Sequence, residues 1–263
     1  MAPSRSGRYG NRDSSQRHDV RDVVFLHGWG SGAAVWREMA AHLAPSRVAH
    51  APDLPGYGTA AACAPYTLAG IAAAVARSAP KRCHVVGWSL GGQVALAWAR
   101  SAPQQVARIV LIAATPCFAR RAGWPHAITA RALAGFSKGL ATERAGTLRR
   151  FVSLQAQGDE KARQVARQLR AAHAARDRPA PEALEGGLRI LSETDMRDAL
   201  GSIRQPVLVV HGDRDSLVPL AAGEYLSRRL FDARFLVLRG AGHAPFLSKP
   251  EETSAALRKF LDE

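Results

Sequence analysis

Short apolar runs rich in valine, isoleucine and leucine recur along this chain and alternate with longer stretches in which alanine and leucine fall at helical spacing. The runs at residues 23–26, 47–51, 83–87, 108–113, 206–211 and 234–238 read as strands, because β-branched side chains suit a pleated, buried surface. Between them, residues 34–43, 68–79, 91–100, 221–230 and 250–261 set apolar positions three and four apart, as a helix with one buried face requires. Strands that alternate with helices in this way pack as a mostly parallel sheet covered by helices on its faces. The expected class is α/β with at least six strands.

One interval breaks that rhythm. From Ala114 to Gln205, about ninety residues contain no strand run, only Arg-rich sequence of helical pattern interrupted by Pro125, Pro179 and Pro181. A stretch of that length outside a sheet builds a lid or a second module. The expected organisation is a flexible basic tail at 1–21, a core made of 22–115 and 199–263, and an inserted helical cap at 116–198.

Composition excludes several classes. Hydrophobic residues at 47% and charged residues at 22% describe an ordinary globular chain rather than a disordered or fibrous one. No stretch approaches the roughly 20 apolar residues of a membrane span. Cys63, Cys83 and Cys117 form no CxxC pair, which argues against a disulfide framework or a zinc cluster. Residues 1–21 carry five arginines and no apolar run, so the hydrophobic segment of a secretory signal is missing there. The expectation is a soluble cytoplasmic monomer with no membrane contact.

Charge sharpens the picture further. Lys and Arg outnumber Asp and Glu by 36 to 22, and residues 117–180 alone hold thirteen basic against four acidic side chains. Basicity of this size makes nucleic acid, an anionic membrane or an acidic protein the first partners to weigh. The basic segment has few interleaved aromatics and no recognisable nucleic-acid module, which argues against nucleic acid.

Candidate chemistry begins at Gly87-Trp88-Ser89-Leu90-Gly91, a G-x-S-x-G between a strand and a helix. At such a nucleophile elbow the glycines relieve a sharp turn that lifts the serine hydroxyl above the sheet edge, and the next amide, on Leu90, can donate to an oxyanion. The bland alternative is a Gly-rich connecting turn. A serine nucleophile needs a base, and the base an orienting acid, which follow in the chain order serine, acid, histidine. The run at 206–211 leads into Asp213-Arg214-Asp215-Ser216-Leu217-Val218-Pro219, and the run at 234–238 into Gly240-Ala241-Gly242-His243. Catalytic groups of open α/β sheets gather beyond the C-terminal strand ends, so Ser89, an aspartate and His243 can converge. Either aspartate could instead form a turn. Asp213 is placed to brace the turn, and Asp215 matches the position of the acid.

A second oxyanion donor is expected from His27-Gly28-Trp29-Gly30, through the Trp29 amide, with His27 a structural histidine. The other histidines show no metal-ligand spacing, and His211 is expected to pack beside the acid turn. No cofactor or metal is called for. One competing motif lies in the same loop. Gly28-Trp29-Gly30-Ser31-Gly32-Ala33 satisfies G-x-G-x-x-A, with Asp53 twenty residues beyond Ala33, the dinucleotide-binding spacing. Against it, Asp53 sits in the rigid Pro52-Asp53-Leu54-Pro55-Gly56-Tyr57-Gly58 turn, and a dinucleotide leaves the serine, acid and histidine motifs unexplained.

Together these motifs resemble the α/β-hydrolase superfamily. Gly87-Trp88-Ser89-Leu90-Gly91-Gly92, Thr115-Pro116-Cys117-Phe118, Trp124-Pro125, residues 151–155 and Gly186-Gly187-Leu188 resemble, more narrowly, the biotin-pathway esterases that hydrolyse pimeloyl-[acyl-carrier protein] methyl ester, the BioH family. The resemblance implies a Ser89, His243 and Asp215 triad, oxyanion donors at Trp29 and Leu90, and an acyl channel lined by Phe151, Val152, Ser153, Leu154 and Gln155. It also implies docking of an acidic acyl-carrier protein on Arg150, Arg163 and Arg167, while the fourth family arginine falls on Gly146, a gap that Arg144 or Arg149 could fill. The superfamily places strands ahead of the His-Gly loop, for which residues 1–22 offer little apolar material. A general short-chain carboxylesterase fits the same triad, since specificity lies elsewhere. A non-catalytic binding protein on this scaffold fits poorly with an intact trio.

Overall fold

The structure, a computed structural model, describes residues 20–44, 46–174 and 179–263. Residues 1–19, which make up most of the basic tail at 1–21 and of the stretch where opening strands would fall, lie outside the described residues.

Six strands, β1 (Asp22–Leu26), β2 (Val48–His50), β3 (Cys83–Trp88), β4 (Val106–Ile112), β5 (Val207–Gly212) and β6 (Ala233–Leu238), form one sheet in the order β2-β1-β3-β4-β5-β6. Every pairing is parallel. β3 and β5 are buried along their full length, which explains their unbroken apolar reading. β2 is an edge strand and shorter than its apolar run. Arg47, at its start, instead turns its buried guanidinium onto the Leu261 carbonyl at 2.9 Å and onto Asp262.

Helices cover both faces. A 3₁₀ turn at Ala33–Trp36 leads into α1 (Arg37–Leu43), followed by α2 (Leu68–Ser78) and α3 (Leu90–Ser101). The Thr67 hydroxyl caps α2 by accepting the Gly70 amide at 3.0 Å. Between β4 and β5 the chain leaves the sheet for α4 (Ala130–Thr142), α5 (Arg144–Ala156), α6 (Ala162–Ala174) and α7 (Pro181–Glu193). It returns through α8 (Leu220–Arg229), a short α9 (Pro245–Ser248) and α10 (Pro250–Leu261). The two roots of the insertion are tied together, the Met196 amide donating to the Pro116 carbonyl at 2.9 Å and Cys117 bridging Asp195.

Alternate residues of β1 feed opposite faces: Val24 and Leu26 join one apolar cluster, Val23 and Phe25 the other. The inserted helices share both clusters, Phe151 and Leu188 packing into the first, Val152, Val165 and Leu169 into the second. Each such side chain contributes about 1.5–3 kcal/mol by leaving water. Among the described residues, no helix is long and apolar enough to cross a membrane.

Candidate active site

The end of β3 sets Ser89. Ser89 has φ 56° and ψ −117°, a backbone conformation that residues with a Cβ rarely adopt. The Ser89 amide donates to the Ile112 carbonyl at 3.0 Å, fixing the turn against β4. A Cβ on Gly91 would overlap the Leu26 carbonyl, so only glycine lets α3 start this close to β1. Ser89 therefore sits at the N-terminus of α3, with the Leu90 amide next in line and the positive end of the helix dipole behind it.

Beyond β5 and β6 the chain supplies an acid and an imidazole. Asp215 Oδ1 accepts the amides of Leu217 and Val218, both at 2.9 Å, and Oδ2 accepts His243 Nδ1–H at 2.8 Å. Asp213 meets a different group, its Oδ1 accepting the Gly240 amide at 2.7 Å. That bond braces the two turns. Burial by itself raises the pKa of Asp215, but the adjacent His243, their shared hydrogen bond, His211 and the Val218 amide outweigh it and hold the carboxyl below the usual carboxylate range. His211 is fully buried, its Nε2–H donating to the Val218 carbonyl at 2.9 Å, and burial pushes its pKa down. It packs as a neutral ring beside the acid.

With Nδ1 committed to Asp215, His243 presents Nε2 as its free lone pair, and that nitrogen is buried with no hydrogen-bond partner among the described residues. The elbow itself places this ring: Trp88 Nε1 donates to the His243 carbonyl at 2.7 Å, and the two rings lie 5.7 Å apart. Ser89 is 4% exposed and His243 fully buried, so both side chains are largely closed to water.

The loop after β1 lies directly beside the serine, since a side chain on Gly28 would come within 3.3 Å of the Ser89 Cβ. Trp29 follows. Its indole donates to the Leu184 carbonyl on α7 at 2.8 Å and meets the Phe151 ring edge-on at 4.7 Å. The five residues from Phe151 to Gln155 do not form one wall, because α5 turns them to different sides. Phe151, Val152 and Gln155 are buried, Leu154 is half-buried, and Ser153 is exposed. Gln155 is the unusual member, with both polar atoms of its buried amide lacking a hydrogen-bond partner among the described residues.

The dinucleotide motif has a structural use instead. Asp53 Oδ1 accepts the Ala33 amide at 2.7 Å, and His27 Nε2 accepts the Leu54 amide at 3.0 Å, so both side chains lock the first loop to the Pro52–Gly58 turn. One contact had no sequence signal at all: buried Asp159, between α5 and α6, accepts the Gly242 amide at 2.7 Å.

Residues 23–256 match the model of the alpha/beta hydrolase family. The chain belongs to that family. A protein of Aromatoleum aromaticum named pimeloyl-[acyl-carrier protein] methyl ester esterase is 45% identical over 245 residues, covering 91% of this chain and 98% of its own. A second of the same name, from Aeromonas hydrophila subsp. hydrophila, is 43% identical, covering 91% of this chain and 95% of its own. At that identity and coverage the chain is a member of the same esterase family. Among solved structures, an esterase from Exiguobacterium antarcticum superimposes with a TM-score of 0.83 at 22% identity, over 92% of each chain, and supports the fold.

The outer side of the inserted helices carries a different kind of surface. An open groove of about 1090 Å³ runs between α5 and α6, lined by Arg149, Arg150, Arg163, Arg167 and Arg170 with Glu143. The Glu143 carboxylate occupies the space beside Gly146 and pairs with Arg150 at 3.0 Å and, more loosely, with Arg149 at 3.5 Å. No arginine fits at position 146 while Glu143 lies there. Arg149 reaches both this groove and a neighbouring cavity, whereas Arg144 lines only the neighbouring cavity.

Proposed function

We propose that this chain is a serine esterase that removes the methyl ester from a pimeloyl group carried on an acyl-carrier protein, the biotin-pathway step that its resemblance implies. The observation that carries the reading is His243: oriented by a 2.8 Å bond to Asp215, it keeps a bare, buried Nε2 beside the Ser89 elbow. In the proposed reaction Nε2 takes the Ser89 proton as Oγ attacks the ester carbonyl, and Asp215 stabilises the imidazolium. The Leu90 and Trp29 amides hold the tetrahedral oxyanion. Collapse breaks the bond to methoxide, which leaves as methanol with the His243 proton. A water deprotonated by His243 then attacks the acyl-serine, releasing the free pimeloyl carboxylate still attached to its carrier.

In this reading α4 to α7 act as a cap. Phe151, which meets the Trp29 ring, and Gln155 line the acyl path, and the orphaned Gln155 amide offers a donor and an acceptor to a polar group of the substrate; Val152 packs into the second apolar cluster and Leu154 borders the outer groove. Ser153 faces the groove rather than the path. The acidic carrier docks on Arg150, Arg163 and Arg167, with Arg149 supplying charge that position 146 lacks. The names of the relatives support the carrier-borne substrate. The reading includes a cytoplasmic monomer working without a cofactor.

Turnover of carrier-linked pimeloyl methyl ester, compared with that of a free short-chain ester, tests it, with Ser89→Ala as control. The expected result is a kcat/KM clearly higher for the carrier-linked ester. Equal efficiency on both makes the protein a general carboxylesterase.

A further inference from the structure

The segment joining α5 to α6 grips both catalytic turns at once. Gly158, at φ +85°, lies so close to the acid turn that a Cβ there would come within 2.5 Å of the Arg214 carbonyl. The Ser216 hydroxyl donates to the Leu154 carbonyl at 3.3 Å, on the other side of Asp215. The Glu160 amide donates to the Gly240 carbonyl at 2.9 Å, and its carboxylate lies 3.4 Å from Arg214 and 3.6 Å from Lys249. Between them, Asp159 is 6% exposed and spends both oxygens on amides, Oδ1 on Lys161 and Oδ2 on Gly242, each at 2.7 Å.

The two bonds of Asp159 do different work. The one to Lys161, two residues on, is an Asx turn that shapes the approach to α6. The one to Gly242 crosses 83 residues of sequence and ends on the amide immediately before His243. A local turn does not require that second bond, and a charged acceptor on a backbone amide is among the stronger and more directional contacts available to a loop. We propose that Asp159 is a positioning residue for His243, and that through it the seating of the α5–α6 hairpin sets the geometry of the Asp215–His243 pair.

This rests on His243 acting as the base, as proposed above. The hairpin that bears the cationic groove is then mechanically continuous with the imidazole. A shift of about 1 Å in a catalytic group can cost a hundredfold in rate, so a partial loosening of the loop is expected to show in kcat before it shows in binding.

Asp159→Ser separates the two bonds. A serine hydroxyl retains the turn to Lys161 but is a single, shorter acceptor that cannot also serve Gly242. With a soluble short-chain p-nitrophenyl ester, Asp159→Ser is expected to lower kcat about tenfold with KM within twofold of the parent and Tm little changed. Asp159→Asn, which keeps one carbonyl oxygen in place, is expected to recover part of that loss. Unchanged kcat in Asp159→Ser, with Ser89→Ala inactive, overturns this inference alone. Parallel falls in kcat, 1/KM and Tm, with no recovery in Asp159→Asn, also overturn it, because they mark a residue that only holds the fold. Full activity in Ser89→Ala overturns the triad reading and this inference with it.

Discussion

The elbow at Ser89 and the groove between α5 and α6 are built on opposite principles. At the elbow the constraint is largely backbone against backbone, the Ser89 amide on the Ile112 carbonyl and Gly91 against the Leu26 carbonyl, with the buried Trp88 indole held on the His243 carbonyl. Nothing there can shift singly. The groove is made of long side chains in water, with Arg149 69% and Arg150 61% exposed and both sharing Glu143, itself 54% exposed. Packed interiors transmit a small change whole, whereas exposed ion pairs contribute little each and sum loosely. The contrast teaches that chemistry here should fail abruptly and recognition gradually.

The abrupt side is tested first at the proposed triad. Ser89→Ala is expected to lower kcat on any ester by about 10⁵–10⁶-fold. Asp215→Asn, which preserves shape while weakening the hold on the His243 tautomer, is expected to cost about 10⁴-fold. Both are read by steady-state assay against parent enzyme whose active sites are counted by burst-phase titration. A loss of less than tenfold in either variant would erase the contrast.

Packing at the elbow supplies the next effect. Gly91→Ala forces a methyl onto the Leu26 carbonyl, which is backbone and cannot rotate away. The expected destabilisation is about 2–4 kcal/mol in denaturant unfolding. The same change at Gly135, whose surroundings are open, is expected to be neutral or slightly stabilising in α4. Equal effects at the two glycines would mean that the elbow has slack.

How much of this was legible in the sequence follows the same division. The elbow, the acid turn and the histidine loop could be read because each is a short segment whose local geometry forces particular residue types, as Gly91 illustrates. The choice of Asp215 over Asp213 also rested on local position, and the two carboxylates do meet different partners. Strand ends were less legible: Arg47 opens the run at 47–51 but leaves the strand for contacts near the C-terminus, a tertiary demand. The stretch from Phe151 to Gln155 reads as one block in sequence, yet the 3.6-residue turn of α5 disperses it. Asp159 was invisible, since its partner Gly242 lies far along the chain and an aspartate before a helix reads as an ordinary cap. The place of Glu143 beside Gly146 was equally hidden, because nothing local links a missing arginine to an acid three residues earlier.

The buried cluster around Asp215 also responds to pH. Burial lowers the folded pKa of His211 from 6.5. As the pH falls below about 6.5 the unfolded chain therefore binds more protons at this residue, and stability declines toward the folded value. Asp215 has the usual carboxylate behaviour: its contribution is present above 3.8 and is lost as the pH falls through its lower folded pKa. The expected result is a Tm that drops by a few degrees between pH 7 and pH 5. His211→Gln, which keeps a donor toward the Val218 carbonyl, should flatten that limb. A limb unaltered in this variant would locate the titration elsewhere.

The smallest effects belong to the groove. Arg163→Glu is expected to lower kcat/KM for the carrier-linked substrate about three- to tenfold and to weaken the salt dependence, leaving short-ester hydrolysis intact. Glu143→Gln acts in the opposite direction. In the parent protein Glu143 holds Arg150 at 3.0 Å, an intramolecular acid in the place where an acidic partner would pair. Removing its charge frees the guanidinium, but the pair is exposed and worth at most about 1 kcal/mol, so the gain in kcat/KM for the carrier-linked ester should not exceed roughly fivefold. The gain should shrink as salt is added, since screening weakens the pair in the parent and the docking in the variant alike. A gain that persists in high salt, or that extends to the short ester, would mean that Glu143 acts on the site through packing, and the separation between a rigid elbow and a loosely summed groove would then fail at this helix.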